Sequence, residues 1–354
     1  MERCEEVNCE TTKMSNDSYL NYCVPDTRDP ESYGKMLYHY CPFKHGESDL
    51  KNERAKLSFP YTFNDPLDSV GYYRKYPTFE AFMKYFADKL LPPEVREFLH
   101  KSKKEDMEIW YEYRDIIAHA YSKLCRGNRG PCAKNLLMSL CGGTDKDAEV
   151  LLWSHYADSA KGMRIGYVFP PDACLAIHKI NYLKKLPSLD FFRLTSHDLG
   201  SKELEDCLHD YHYCILTTKQ KVWQYEDEYR IITNVDDKIN VFSQGDFWFA
   251  RIPNRYVKVV DFGAKAFEGD EYMRDQHFLA KAKSLSENTN IPIRCFRMAE
   301  LQVGKYGFRY VGVLEAYRRL KRRLSNRELS AQHNLKMPRG ICRMMEKTLY
   351  VSNG

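Results

Sequence analysis

The chain of 354 residues is 43% hydrophobic and 29% charged, with a formal net charge of +5, an ordinary composition for a globular protein. No apolar run approaches the roughly 20 residues needed to cross a bilayer, and the acidic start MERCEEVNCETTKMSND lacks the apolar segment of a signal peptide; a cytoplasmic protein without a membrane partner is expected. From Gly312 to Gly354 ten Lys/Arg stand against three Asp/Glu, which leaves −2 for the first 311 residues and argues against the main body as a general polyanion binder.

In chain order, residues 1–33 are polar and aperiodic and read as a flexible arm. KMLYHYCPF reads as a strand in which His39 faces opposite to Tyr38 and Tyr40, and KHGESDLKNERA has helix or turn character. KLSFPYTF is a second strand closed by the turn signal NDP. Thr78 to Cys125 is helical by its spacing of apolar residues, with Pro92-Pro93 as a helix start. NLLMSLC is a short buried strand stopped by Gly142-Gly143, and DKDAEVLLWSHYA is a helix with Asp145 as its N-cap. A turn at Gly162 leads into the strand MRIGYVF.

Further on, SKELEDCLHDYHYCILTTK reads as a helix and WQYEDEYRIITNV alternates as a strand. VKVVDFG and IPIRCFRMAE are strands flanking the helix DEYMRDQHFLAKAKSLS, and AYRRLKRRLSNREL is a basic helix. This irregular alternation predicts an α+β fold: a mixed β-sheet core with flanking helices, one domain over 34–311 and a basic helical extension over 312–354.

Twelve cysteines without a single C-x-x-C pair read as reduced thiols. Cys207, His209, His212 and Cys214 crowd into one segment, but on a helix the cysteines share one face and the histidines take the other, so no metal site is expected. The P-loop, dinucleotide-binding, zinc-protease and nucleophile-elbow motifs are all absent.

The most informative segment is KVWQYEDEYRII. Read as a strand over 221–232, it lines up Glu226, Glu228 and Arg230 on one face, about 7 Å between alternate residues. Such a row either forms a solvent-facing edge with its own salt bridge or positions a ribose and stabilises an oxocarbenium ion. On the helix of DKDAEVLLWSHYA, Leu152, His155 and Tyr156 share a face with Trp153 offset; His155 is either a surface residue or part of a pocket wall, as are Tyr156 and Lys161 beside it. Asn64 and Asp65 either close their own turn or reach into a cleft.

Taken in order, YHYCPF, LSFPYTFNDPLD, WSHYADSAKG, KVWQYEDEYRI and VKVVDFGAKAF resemble a bacterial family known as domain of unknown function twenty-nine seventy-one, over about residues 37–311. A more distant resemblance, a first strand with His, a second ending in a Ser/Phe-rich stretch and a late strand with Glu, is to the ADP-ribosyltransferase superfamily. That resemblance implies NAD as a substrate, with His39 at the ribose, Ser58 and Tyr61 beside nicotinamide, and Glu228 or Glu226 at the oxocarbenium-like state. Tyr38, Asn64, Asp65, His155, Tyr156, Lys161 and Arg230 are the further candidates for the nucleotide pocket. The complete transferase motif is not present, so fold-level likeness does not settle the reaction. An NAD-consuming transferase or glycohydrolase, of the kind found among toxins and phage-defence effectors, is one expectation. Nucleic-acid binding through Arg318, Arg319, Lys321, Arg322, Arg323 and Arg327 is a second, and a non-catalytic nucleotide or interaction module is a third.

Overall fold

A computed structural model describes residues 32–69, 72–73, 93–94, 97, 134–143, 146–173, 175–189 and 210–328. Asp145, Cys207, His209, everything past 328, and nearly all of the expected arm and of the helical stretch 78–125 lie outside these residues.

The first strand, β1 (Met36–Cys41), leads through Pro42 into helix α1 (Phe43–Lys51) and strand β2 (Arg54–Leu57). After the short β3 (Tyr72–Tyr73) come β4 (Asn135–Cys141), helix α2 (Lys146–Tyr156) and β5 (Met163–Val168). Small strands β6 (Ile177–Lys179), β7 (Asn181–Leu183), β8 (Ser188–Leu189) and β9 (Thr218–Gln220) precede β10 (Glu228–Asn234). The hairpin β11 (Val241–Gln244) and β12 (Phe247–Arg251) is followed by β13 (Val257–Phe262), α3 (Glu271–Thr289), β14 (Phe296–Leu301), β15 (Phe308–Gly312) and α4 (Val313–Glu328).

Eight strands form one sheet in the order β15-β14-β13-β5-β1-β4-β10-β6. β13 and β14 run parallel and the other neighbours antiparallel, so the sheet is mixed and the fold is α+β. A second sheet joins β11, β12 and β2. No described helix is long and apolar enough to cross a membrane.

Both faces of the large sheet are covered, as its residue pattern requires. Leu37, Ile165, Val260 and Phe296 pack with Leu50 of α1, Phe278 and Leu285 of α3, and the inner residues of β2, β11 and β12. On the opposite face Tyr40, Cys141 and Ala299 pack with Leu152, Trp153 and Ala157 of α2. Trp153, offset from the face of His155 and Tyr156, anchors that helix: it is fully buried, and its indole N–H donates to the Tyr310 hydroxyl at 3.1 Å. α3 begins where Asp270 accepts from the Met273 N–H at 2.9 Å and ends at Asn290 in the left-handed region.

α4, expected as an extension beyond the domain, belongs to its core. Val313, Ala316, Tyr317 and Leu320 join the main apolar cluster. Its basic character is partly used inside the fold: Arg319 pairs with Glu300 at 2.6 Å and Glu315 at 2.9 Å, and Arg323 pairs with Glu271. Arg318 and Lys321 are exposed, and the side chain of Arg327 lies outside the described residues.

One irregularity positions the site. β1 pairs with β4 only at Tyr38 and Cys141, although β1 pairs with β5 along its whole length. Further along the same edge of β4, Leu137 exchanges both backbone hydrogen bonds with Ser58, just past β2, at 2.9 Å each. Between these points the Ser139 carbonyl accepts from the His39 ring at 3.0 Å. Two segments thus share one strand edge, and an imidazole fills the interval where a ladder bond would be.

Candidate functional site

A cleft of about 390 Å³ opens over that interval, within the ~300–1,000 Å³ of small-molecule sites. His39 and Tyr40 come from β1, Lys56 and Ser58 from β2 and its end, Asn64 from the following turn, His155 and Tyr156 from α2, and Glu226 and Glu228 from the segment entering β10. Seven residues singled out in the sequence therefore meet at one cavity: His39, Ser58, Asn64, His155, Tyr156, Glu226 and Glu228.

The row Glu226, Glu228 and Arg230 is not one strand face. Residues Lys221–Glu226 form a 3-10 helix, Asp227 turns in the left-handed region at φ 44°, and only then does β10 begin. The turn lies flat against Gly142, where a Cβ would come within 2.0 Å of the Asp227 carboxylate, so the glycine that ends β4 admits the turn. The result is a tighter pairing than a strand would give, because both Glu226 and Glu228 reach Lys219.

Lys219, on β9, donates to Glu226 Oε2 at 2.7 Å and Glu228 Oε2 at 3.2 Å, and lies 3.5 Å from Asp68 Oδ2. Arg230 is fully buried behind them. Its Nε donates to Glu228 Oε1 at 2.8 Å, and one terminal nitrogen donates to both Asp68 oxygens at 2.7 and 2.9 Å. Another terminal nitrogen reaches the Leu216 carbonyl at 2.8 Å. Tyr156 donates to Glu226 Oε1 at 2.6 Å, and the Tyr182 hydroxyl accepts from the Glu228 N–H at 2.8 Å. Three carboxylates and two cations leave the cluster one negative charge in excess when all are ionised.

The two glutamates titrate in opposite directions. Burial raises the Glu226 carboxyl and Glu228 adds to the rise, with Lys219 opposing. Burial also pushes Glu228 up, but the Arg230 and Lys219 charges outweigh it and hold that carboxyl well below the usual carboxylate range. A pair of acids separated in this way is the arrangement by which one can exchange protons while the other stays charged. Lys219 stays protonated because Glu228, Glu226 and Asp68 overcome its burial.

His39 has a defined role in the same wall. A carbonyl can only accept, so the Nδ1 facing Ser139 carries the proton and Nε2 is left as an acceptor. Burial lowers the titration of the ring, which favours the neutral form. Cys141 lines the cleft beside the glutamates, and burial and their charge push its thiol well up, which favours the neutral form.

Five other candidates are placed elsewhere. Tyr38 covers the Arg164 guanidinium at 4.4 Å. Tyr61 stacks on Phe59 at 5.1 Å, outside the lining. Asp65 turns back to accept the Leu67 N–H at 2.9 Å, closing its own turn. Lys161 is exposed in the turn before β5. Arg230 supports the site from behind and does not line it. Conversely Asp68, Lys219 and Ser139 escaped the sequence reading. They are single polar residues in unremarkable surroundings, and only the fold brings them to Glu228. Among the described residues no group of His, Cys, Asp or Glu could hold a metal ion.

Fold and site together define an α+β protein whose split mixed sheet holds a buried charge cluster in the wall of a cleft. No protein-family model, curated protein or solved structure matches the chain.

Proposed function

We propose that the cleft binds NAD and breaks the bond between nicotinamide and ribose, acting as an ADP-ribosyltransferase or NAD glycohydrolase. The observation that carries this reading is the buried cluster of Glu226, Glu228, Asp68, Lys219 and Arg230, which keeps one carboxylate ionised, raises another, and holds one negative charge in excess when all are ionised. The nicotinamide ring of NAD is cationic, and the charge passes to the ribose as the bond breaks. A fixed negative site stabilises that charge in a cavity from which water is partly excluded.

The chain's residues divide the work. Glu228, locked by Arg230 and Lys219, faces the developing oxocarbenium ion. As the C1–N bond breaks, its electron pair leaves with neutral nicotinamide. Water or an acceptor group then adds to C1, and its proton passes to Glu226, which Tyr156 and Lys219 hold in place. His39 offers Nε2 as an acceptor to a ribose hydroxyl. Orientation by such groups supplies much of the rate in a reaction of this type.

The test is release of nicotinamide from NAD by the purified full chain, followed by chromatography. Wild type should release it, alone or with a lysate supplying an acceptor. Glu228→Gln should reduce release by two orders of magnitude or more, about the cost of one electrostatic stabiliser, with an unchanged circular dichroism spectrum. A wild-type protein that neither binds NAD nor releases nicotinamide rules the reading out.

A further inference from the structure

The outer face of the β11–β12–β2 sheet has a composition that its fold does not explain. Alternation along these strands places Ala55, Leu57, Trp248, Ala250 and Val241 on the inner side, against the core. The outer side carries Arg54, Lys56, Phe247, Phe249, Arg251 and Phe242. The solvent face of a three-stranded sheet is ordinarily polar, yet this one holds three phenylalanines. Each lies under a cation: Arg54 over Phe249 at 3.8 Å, Lys56 over Phe247 at 4.4 Å, and Arg251 over Phe242 at 4.8 Å.

Phe249 is already covered, and Arg54 is tied to Asp49. Phe247 is 52% exposed, Arg251 is exposed, and among the described residues neither the Lys56 ammonium nor the Arg251 guanidinium forms an ion pair, the Lys56 bond to Asp49 being made by its backbone N–H. We infer that this face is a docking surface for a single-stranded nucleic acid. Phosphates pair with Lys56 and Arg251, and an unstacked base lies on Phe247. Cations interleaved with aromatic rings on a sheet match both halves of that ligand, whereas an acidic peptide would use the cations and leave Phe247 without a role. The face adjoins the cleft, because Lys56, on the outer side of β2, also lines it. The net charge of −2 over the first 311 residues is a sum over the chain and does not describe this one face. The inference does not depend on NAD chemistry.

The experiment is fluorescence anisotropy of the full chain with a labelled single strand of about 16 nucleotides, as RNA and as DNA, over a salt series. Binding should weaken with salt. Phe247→Ala should weaken it about ten-fold, and Arg251→Gln should reduce the slope of log affinity against log salt by about 0.7, the loss of one phosphate contact. Both side chains are exposed, so both variants should fold; matching thermal melts check this. Arg318→Gln with Lys321→Gln on α4 should bind as wild type does. The proposal is overturned by absence of binding at low salt, by wild-type affinity in both sheet-face variants, or by loss confined to the α4 variant. It is equally overturned if an acidic peptide binds as tightly as the strand with no dependence on Phe247. Binding that needs Phe247 and Arg251 in a chain that releases no nicotinamide upholds this inference while removing the NAD reading.

Discussion

Tyr156, the last residue of α2, donates its hydroxyl to Glu226 Oε1 at 2.6 Å, joining the wall built by α2 to the turn that precedes β10. This bond also sets chemistry, because it opposes the burial that raises the Glu226 carboxyl.

Tyr156→Phe should therefore raise the Glu226 titration further. If Glu226 accepts the proton of the incoming nucleophile, activity rises with pH as it ionises. The acid limb of the pH–rate profile for nicotinamide release should then move to higher pH in the variant, and turnover should fall about ten-fold, as expected for a hydrogen bond to a charged group. A profile that falls in height without moving would assign Tyr156 a packing role only.

Arg230 binds Asp68 and Glu228 from a fully buried position. Arg230→Met leaves those carboxylates with Lys219 as their one close cation among the described residues, and should cost about 3–5 kcal/mol in urea unfolding. Adding Asp68→Leu should recover part of that loss, because it removes one of the stranded charges.

Asp275, on α3, is buried with no hydrogen-bond partner for either oxygen, and its nearest cations are Arg319 at 3.8 Å and Arg323 at 4.0 Å. Burial raises its carboxyl to about 6 against the partial opposition of Arg319. A raised folded-state value means that protonation favours the fold: the stability is fully present below the ordinary value of 3.8 and is lost as pH rises through about 6. Asp275→Asn should be more stable than wild type at pH 7.5 in thermal melts, with the difference vanishing near pH 4.

Between α2 and β5, Asp158, Ser159 and Ala160 all take positive φ, at 48°, 54° and 67°. Left-handed backbone costs a residue with a Cβ about 1–2 kcal/mol. Ser159 is exposed. Ser159→Gly should stabilise by about 0.5–1 kcal/mol, the relief of strain less the added entropy of the unfolded chain. Urea midpoints with an unchanged slope would measure it.

Local pattern made much of the scaffold legible. β1, β4, β5, α2 and α3 follow from runs of apolar residues and the glycines or caps that bound them, because strand and helix periods are written in neighbouring residues. The hairpin of β11 and β12 was missed, as its outward phenylalanines break the alternation that marks a half-wet sheet. In the segment 221–232 the strand is as expected from Glu228 on, but its first part, 221–227, is a 3-10 helix and a turn. Its carboxylates sit two apart, as in a strand, but a left-handed turn at Asp227 separates them.

The site divides along the same line. His39, Asn64, His155, Tyr156, Glu226 and Glu228 could be named from the chain alone, because polar groups crowded beside strands draw attention wherever they point; Ser58 was named through the family resemblance. That they share one cleft, that Tyr38, Tyr61, Asp65 and Lys161 do not, and that Asp68, Lys219 and Ser139 do the holding, was decided by tertiary structure. Asp68 and Arg230 are 162 residues apart. A charge's partner, its burial and hence its proton affinity depend on distance in space, and a linear sequence carries that distance only through the fold.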